Sequence, residues 1–193
     1  MDFGKLVNWF IVLCWKGLII KRLLRKSSIA LLAIAAVMTF GSAASAATST
    51  ATLTGGTLSI TAAASDFTYS GTLTGAAQNL SSSFALSVKD ATGSKAGWNL
   101  QAAIGVLTAG TDTIVATNHT ITGVTISAVV GTGPTNAIAV GQIPTTAAKI
   151  FNAAINTGKG TSTETFATQL TVPADAAAGT YTATLTVTLV SGP

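Results

Sequence analysis

Between positions 182 and 189 hydroxyl and aliphatic side chains alternate without a break. Thr182, Thr184, Thr186 and Thr188 share one parity, and Ala183, Leu185, Val187 and Leu189 the other. A period of two cannot be a helical face, which repeats every 3.6 residues; it is the pattern of an extended strand with one apolar and one polar face. An aliphatic row of that length needs cover, so the strand must lie in a sheet with one buried side. Similar runs occupy 49–53, 57–62, 84–88, 97–103, 119–129 and 165–172, divided by turns such as Gly131-Thr132-Gly133-Pro134. These point to an all-β fold, an Ig-like antiparallel β-sandwich of about 7–10 short strands. The stretch 145–156 has two readings. Ala147, Ile150, Phe151, Ala154 and Ile155 have helical spacing between Pro144 and Gly158, whereas a strand would put Ala147, Lys149, Phe151 and Ala153 on one face. A strand followed by a glycine loop is expected.

Charge separates the chain of 193 residues into two parts. Six of the ten Lys and Arg residues and one of the six acids precede Ser27, a net +5; the remainder holds four lysines against five acids, a net −1. A phosphate-tracking surface needs clustered cations, and Lys89, Lys95, Lys149 and Lys159 are scattered, so no nucleic-acid partner is expected. Lys21, Arg22, Arg25 and Lys26 lead into an apolar run over 29–40 and then Ala44-Ser45-Ala46. About 12 apolar residues followed by a small-x-small site fit a cleaved export signal and are too short to span a bilayer. Residues 1–46 are therefore expected to be a leader, cut after Ala46, and 47–193 a single domain. Residues 1–20 add a second apolar patch over 9–15, which fits a reading frame opened upstream of a true start near Leu18. Sequencing the unprocessed N-terminus tests this, and finding Met1 there would refute it. Cys14 is the only cysteine, so past the leader there is no disulfide, thiol nucleophile or thiolate metal site.

Threonine makes up about a fifth of residues 47–193, and only 8% of the whole chain is charged. Disordered chains show the opposite balance, and Thr and Val favour a pleated, half-buried surface. Thr52-Leu53-Thr54-Gly55 recurs as Thr72-Leu73-Thr74-Gly75, but two copies do not make a solenoid. The loop from Pro173 to Thr180 delivers Tyr181 to the last strand. Tyrosine corners of Ig-like sandwiches look like this, with the phenol bonded back to upstream backbone; a half-buried tyrosine opening a strand is the other reading.

Trp98-Asn99-Leu100 behind Gly97, together with Tyr181-x-x-x-Leu185-Thr186-Val187-x-Leu189-x-x-x-Pro193, resembles the paired motifs of the WxL family of Gram-positive cell-surface proteins. The likeness also takes in the Thr-rich opening, Val88-Lys89-Asp90 and the stretch 156–161. The distal tryptophan of the family pattern is replaced here by Val187. The resemblance implies export, non-covalent attachment to peptidoglycan or another cell-wall glycan, and a membrane-anchored companion protein with wall-binding modules of its own. No anchor or sorting motif follows the last strand, so retention at the surface is expected to depend on contacts.

A glycan surface uses aromatic stacking and side-chain hydrogen bonds. Trp98 is the only tryptophan after the leader; if exposed, it would be the stacking platform, with Asn99 and Gln101 beside it as amide donors and acceptors. Alternation gives another reading, with Trp98, Leu100 and Ala102 in the core and Asn99 and Gln101 on the opposite face. Leu185, Val187 and Leu189 are expected in the core. No catalytic residue, cofactor or metal site is expected. Asp66, Asp90, Asp112, Glu164 and Asp175 lack the paired spacing of a hydrolase, His119 is the only histidine, and no nucleophile elbow accompanies Asp112 and His119. The alternative function is a structural fibre or surface subunit held by strand-mediated self-assembly or by the anchored partner. Ice binding by the Thr182–Thr188 ladder is not expected, because a flat lattice needs the run repeated at a fixed period and only one such run exists.

Overall fold

Every strand pairing in the domain is antiparallel. The computed structural model describes residues 49–193, in which residues Thr52–Pro193 form one compact unit. The expected leader, its cleavage site and Cys14 lie outside the described residues. The strands are β1 (Leu58–Ala62), β2 (Gln78–Asp90), β3 (Trp98–Ile104), β4 (Leu107–Ala109), β5 (Asp112–Ile114), β6 (His119–Thr132), β7 (Ala148–Ala153), β8 (Lys159–Val172) and β9 (Leu185–Ser191), with a 3-10 turn at Ala116–Asn118. One sheet has the order β1-β2-β8-β6, the second β7-β3-β9, and β4 and β5 form a small ribbon.

The four-plus-three partition is that of the expected sandwich. Its connectivity departs from the immunoglobulin pattern, in which the third strand pairs with the sixth and the second with the fifth. Here, leaving out the ribbon, the third strand lies between the fifth and the seventh, and the sixth pairs with the second and fourth.

Alternation along the two longest paired strands builds the core. Ser162, Glu164, Phe166, Thr168, Leu170 and Val172 of β8 are buried in strict alternation with partly exposed neighbours, and Phe84, Leu86 and Val88 of β2 do the same. Phe84 and Phe166 are register partners and stack at 4.8 Å. Phe166 meets Phe151 of the facing sheet edge-on at 6.0 Å, and Phe151 packs on Trp98 at 5.7 Å. Four rings thus join the two sheets, each contact adding about 0.5–1.5 kcal/mol beyond area burial. A second apolar cluster of Leu107, Ile114, Leu170 and Val172 sits at the ribbon, with Tyr69, Leu80 and Tyr181 against it.

Residues 145–156 contain β7 and no helix, as expected. The run 49–53 is exposed and unpaired, and the last strand begins at Leu185 rather than Thr182, with Thr182 held instead by an isolated bridge to Thr108. An apolar row becomes a strand only where a neighbour accepts its backbone bonds, and residues 49–53 have none.

Candidate functional site

The two halves of the sequence motif are adjacent strands. β3 pairs with β9 so that Leu100 faces Leu189, Ala102 faces Val187 and Ile104 faces Leu185. Gly97 enters β3 at φ +76°, where a Cβ would overlap the carbonyl oxygen of Ala153, so both its conformation and its crowding require glycine. Trp98 is 0% exposed, and its indole N–H donates to the Gly158 carbonyl at 3.0 Å. No ring face is left for a sugar, which corrects the reading of Trp98 as a stacking platform: burying its large apolar area won over exposure. Leu100 is also fully buried, while Leu185, Val187 and Leu189 pack against the core from a partly exposed edge.

Asn99 does point to the opposite face, yet it is 3% exposed. Its Nδ2 donates to the Gly192 carbonyl at 2.7 Å and its Oδ1 has no partner. Asn152, its register partner in β7, is capped by Asn136 and Ala137, which exchange hydrogen bonds with it. Gln101 is partly exposed, and alone of the three proposed contacts could reach a ligand on this face. Thr186 and Thr188 are exposed, and Lys149 Nζ donates to the Pro193 oxygen at 2.7 Å, fastening the end of the distal motif.

A half-open cleft of about 1190 Å³ lies at one end of the sandwich, between the chain leaving β1 and the loop that precedes β9. Its floor is the second apolar cluster, with Leu107, Ile114, Leu170 and Val172. Its rims carry Ser65, Thr68, Ser70, Thr72, Thr180, Thr182 and Thr184, with the Gln78 amide, and Asp66 is the only charged residue among the lining groups. Two loops without periodicity close it because each is pinned by a tyrosine. Tyr181 Oη donates to the Ala177 carbonyl at 3.0 Å, the backward bond expected of a tyrosine corner, and Tyr69 Oη donates to Thr168 Oγ1 at 2.8 Å.

His119 also lines the cleft. It is 1% exposed, its ring lies 5.6 Å from that of Tyr69, and its Nδ1 has no hydrogen-bond partner. Burial pushes its pKa below the ordinary imidazole value, against an opposing backbone bond at Ala116, so at neutral pH it is an uncharged ring. Burial raises the Tyr69 phenol in the same way, the bond to Thr168 opposing, which keeps the hydroxyl protonated. The cleft therefore offers neutral donors and acceptors over an apolar floor and no positive charge. A hydroxyl- or amide-bearing neutral ligand would find partners there; a polyphosphate would find none.

The acids are not assembled for chemistry. Asp90 accepts from the Thr92 backbone and hydroxyl in a turn, and Glu164 is fully buried in the core, with Ser162 Oγ donating to Oε1 at 2.5 Å and Oε2 unpartnered. Burial raises the Glu164 pKa despite hydrogen bonds from Ser162 and its own backbone. Among the described residues no three His, Cys, Asp or Glu side chains are grouped to hold a metal. The sequence marks Tyr181 as a candidate tyrosine corner and His119 as the only histidine, but it gives no sign that they meet, and Tyr69 lies in a loop that carries no pattern. A family model described as "WxL domain surface cell wall-binding" matches residues 31–193. No protein of curated function matches the chain.

Proposed function

The chain belongs to the WxL family of surface cell wall-binding domains, and we propose that it attaches non-covalently to the neutral glycan of Gram-positive peptidoglycan through the cleft beside β9. The absence of any lysine or arginine from a cleft rich in hydroxyls carries this reading. Wall teichoic acids are polyanions, and an uncharged His119 with one carboxylate, Asp66, gives them no counter-charge. Sugars offer vicinal hydroxyls and acetamido groups to Ser, Thr, Gln and Tyr side chains, and an apolar ring face to the floor. The domain acts as a binder without catalysis on this reading, and each contact is weak enough that durable retention needs several domains on one polymer.

Retention of the purified chain on sacculi, intact and stripped of teichoic acids, tests the proposal. Ser70 is an exposed cleft-lining residue, so Ser70→Trp should fill the cleft without entering the core. The expected result is retention on stripped sacculi, competed by soluble glycan fragments and lost in a Ser70→Trp chain of unchanged circular dichroism. Retention that needs teichoic acids, or that survives a filled cleft, would overturn it.

A further inference from the structure

Each of the two main sheets ends in two edge strands, and three of those four edges are interrupted. β1 breaks register between Ile60 and Ala62, and β6 breaks it twice, between Ile121 and Gly123 and between Ser127 and Val130. β7 is shifted opposite Leu100 and Gln101 and carries Lys149. β9 has no such feature. It runs in unbroken register along β3 from Leu185 to Ser191 and contains no charge and no proline. Bulges, charges and prolines are the ordinary guards against edge pairing, so β9 is the one unguarded edge of the two sheets.

The ladder shows which of its groups are free. Gly192 N–H donates to Gly97 O, and Gly105 N–H to Thr184 O, which sets the phase of the whole pairing. Even-numbered residues of β9 bond to β3, and the backbone groups of Leu185, Val187, Leu189 and Ser191 point away from it. Three of those four residues are also the ones whose side chains face the core and stay partly uncovered. One edge therefore presents unpaired backbone and an incompletely buried apolar row at the same residues.

We propose that β9 pairs antiparallel with β9 of a second copy about a two-fold axis at Thr188. That register sets Val187 opposite the partner's Leu189 and Leu185 opposite the partner's Ser191, so every outward-pointing residue is used, with about eight hydrogen bonds formed. A second copy is the occupant the strand favours. The same donors and acceptors face each other under a two-fold, no charge on either strand opposes contact, and two half-covered rows merge into one stripe. Pro193, which lacks an N–H, limits the pairing at one end, and the Thr182–Thr108 bridge limits it at the other. The two three-stranded sheets become one continuous sheet, and each particle carries two clefts. The pairing does not depend on what the clefts bind.

Thr188 is exposed on the outer face and, in this register, sits opposite its own copy in a non-hydrogen-bonded pair, with Cα atoms about 4.5 Å apart. That distance suits a disulfide. In a full-length Cys14→Ser background, Thr188→Cys should cross-link to dimers on mild oxidation. Thr186→Cys, which would face the partner's Val190, should not. Sedimentation of the unmodified chain should show a concentration-dependent dimer, weakened at least tenfold by Thr188→Lys. A monomer at every concentration up to about 100 μM, the range of weak interfaces, would overturn the proposal. So would equal cross-linking by the two cysteine variants, or open-ended particles that vanish when 49–57 is deleted, since those require a different strand. If Thr188→Lys fails to fold, the two cysteine variants still decide the matter.

Discussion

Replacing Trp98 by Phe separates a core role from a wall-contact role in one variant. The substitution keeps an aromatic ring against Phe151 and removes the indole N–H that satisfies the buried Gly158 carbonyl at 3.0 Å. Leaving that acceptor unpaired costs about 1–3 kcal/mol. The smaller ring leaves a void in a site with 0% exposure, and lost transfer energy and cavity together add roughly 1–2 kcal/mol. The expected destabilisation is about 2–5 kcal/mol, or roughly 4–20 °C in Tm. Urea titration followed by far-UV circular dichroism measures it, and sacculus retention is then scored where the variant is fully folded. Retention should equal that of the parent. A variant within about 0.5 kcal/mol of the parent that no longer binds sacculi would refute the reasoning, because it would make the indole a contact group and not a core one.

Gly158→Ala should be damaging on a similar scale. The residue has φ +68°, and an added Cβ would lie 2.5 Å from the Ala153 Cβ and 2.6 Å from Trp98 Nε1, so a loss of about 2–4 kcal/mol is expected in the same titration. Glu164→Gln should change the pH dependence of stability. Burial holds the carboxyl above its ordinary 4.5, so the folded chain keeps a proton that the unfolded chain releases, and stability falls as pH rises from that value toward the raised one. Across urea midpoints from pH 3 to 8 the variant should gain on the parent as pH climbs through this window and show no gain below it; parallel curves would count against a buried, proton-holding Glu164. Tyr181→Phe removes the bond to the Ala177 carbonyl and should cost about 1 kcal/mol, with faster amide exchange confined to the cleft rim, and uniform exchange would argue against a local clamp.

Period-two patterning was enough to read the strand faces. It put Trp98, Leu100 and Ala102 on one side of β3 and Asn99 and Gln101 on the other, as the structure has them, and it separated Leu185, Val187 and Leu189 from the exposed threonines of β9. It could not say that Asn99 would be buried too. That depends on Gly192, 93 positions away, folding back onto it. β4 and β5 are three residues each, too short to show a period, and the first half of β2 is masked by Ser81-Ser82-Ser83, whose pairing is decided by Ala167, Thr168 and Gln169 on β8. The cleft was illegible for the same reason. Tyr69, His119 and Tyr181 belong to a loop, a strand start and a second loop, and only tertiary packing gathers them.

The pairing of β3 with β9 also sets the order of events when the chain is made. Asn99 and Gly192 are 93 positions apart, so at ~5–20 residues per second β3 waits roughly 5–20 s for the strand that completes its sheet. Until then the second sheet has a missing member, and Gly158, whose carbonyl holds the Trp98 indole, arrives only partway through the delay. Contacts of such long sequence separation form slowly. Until the seven-residue β9 has been released the second sheet lacks one of its three strands, so its side of the core is the last part of the domain to close.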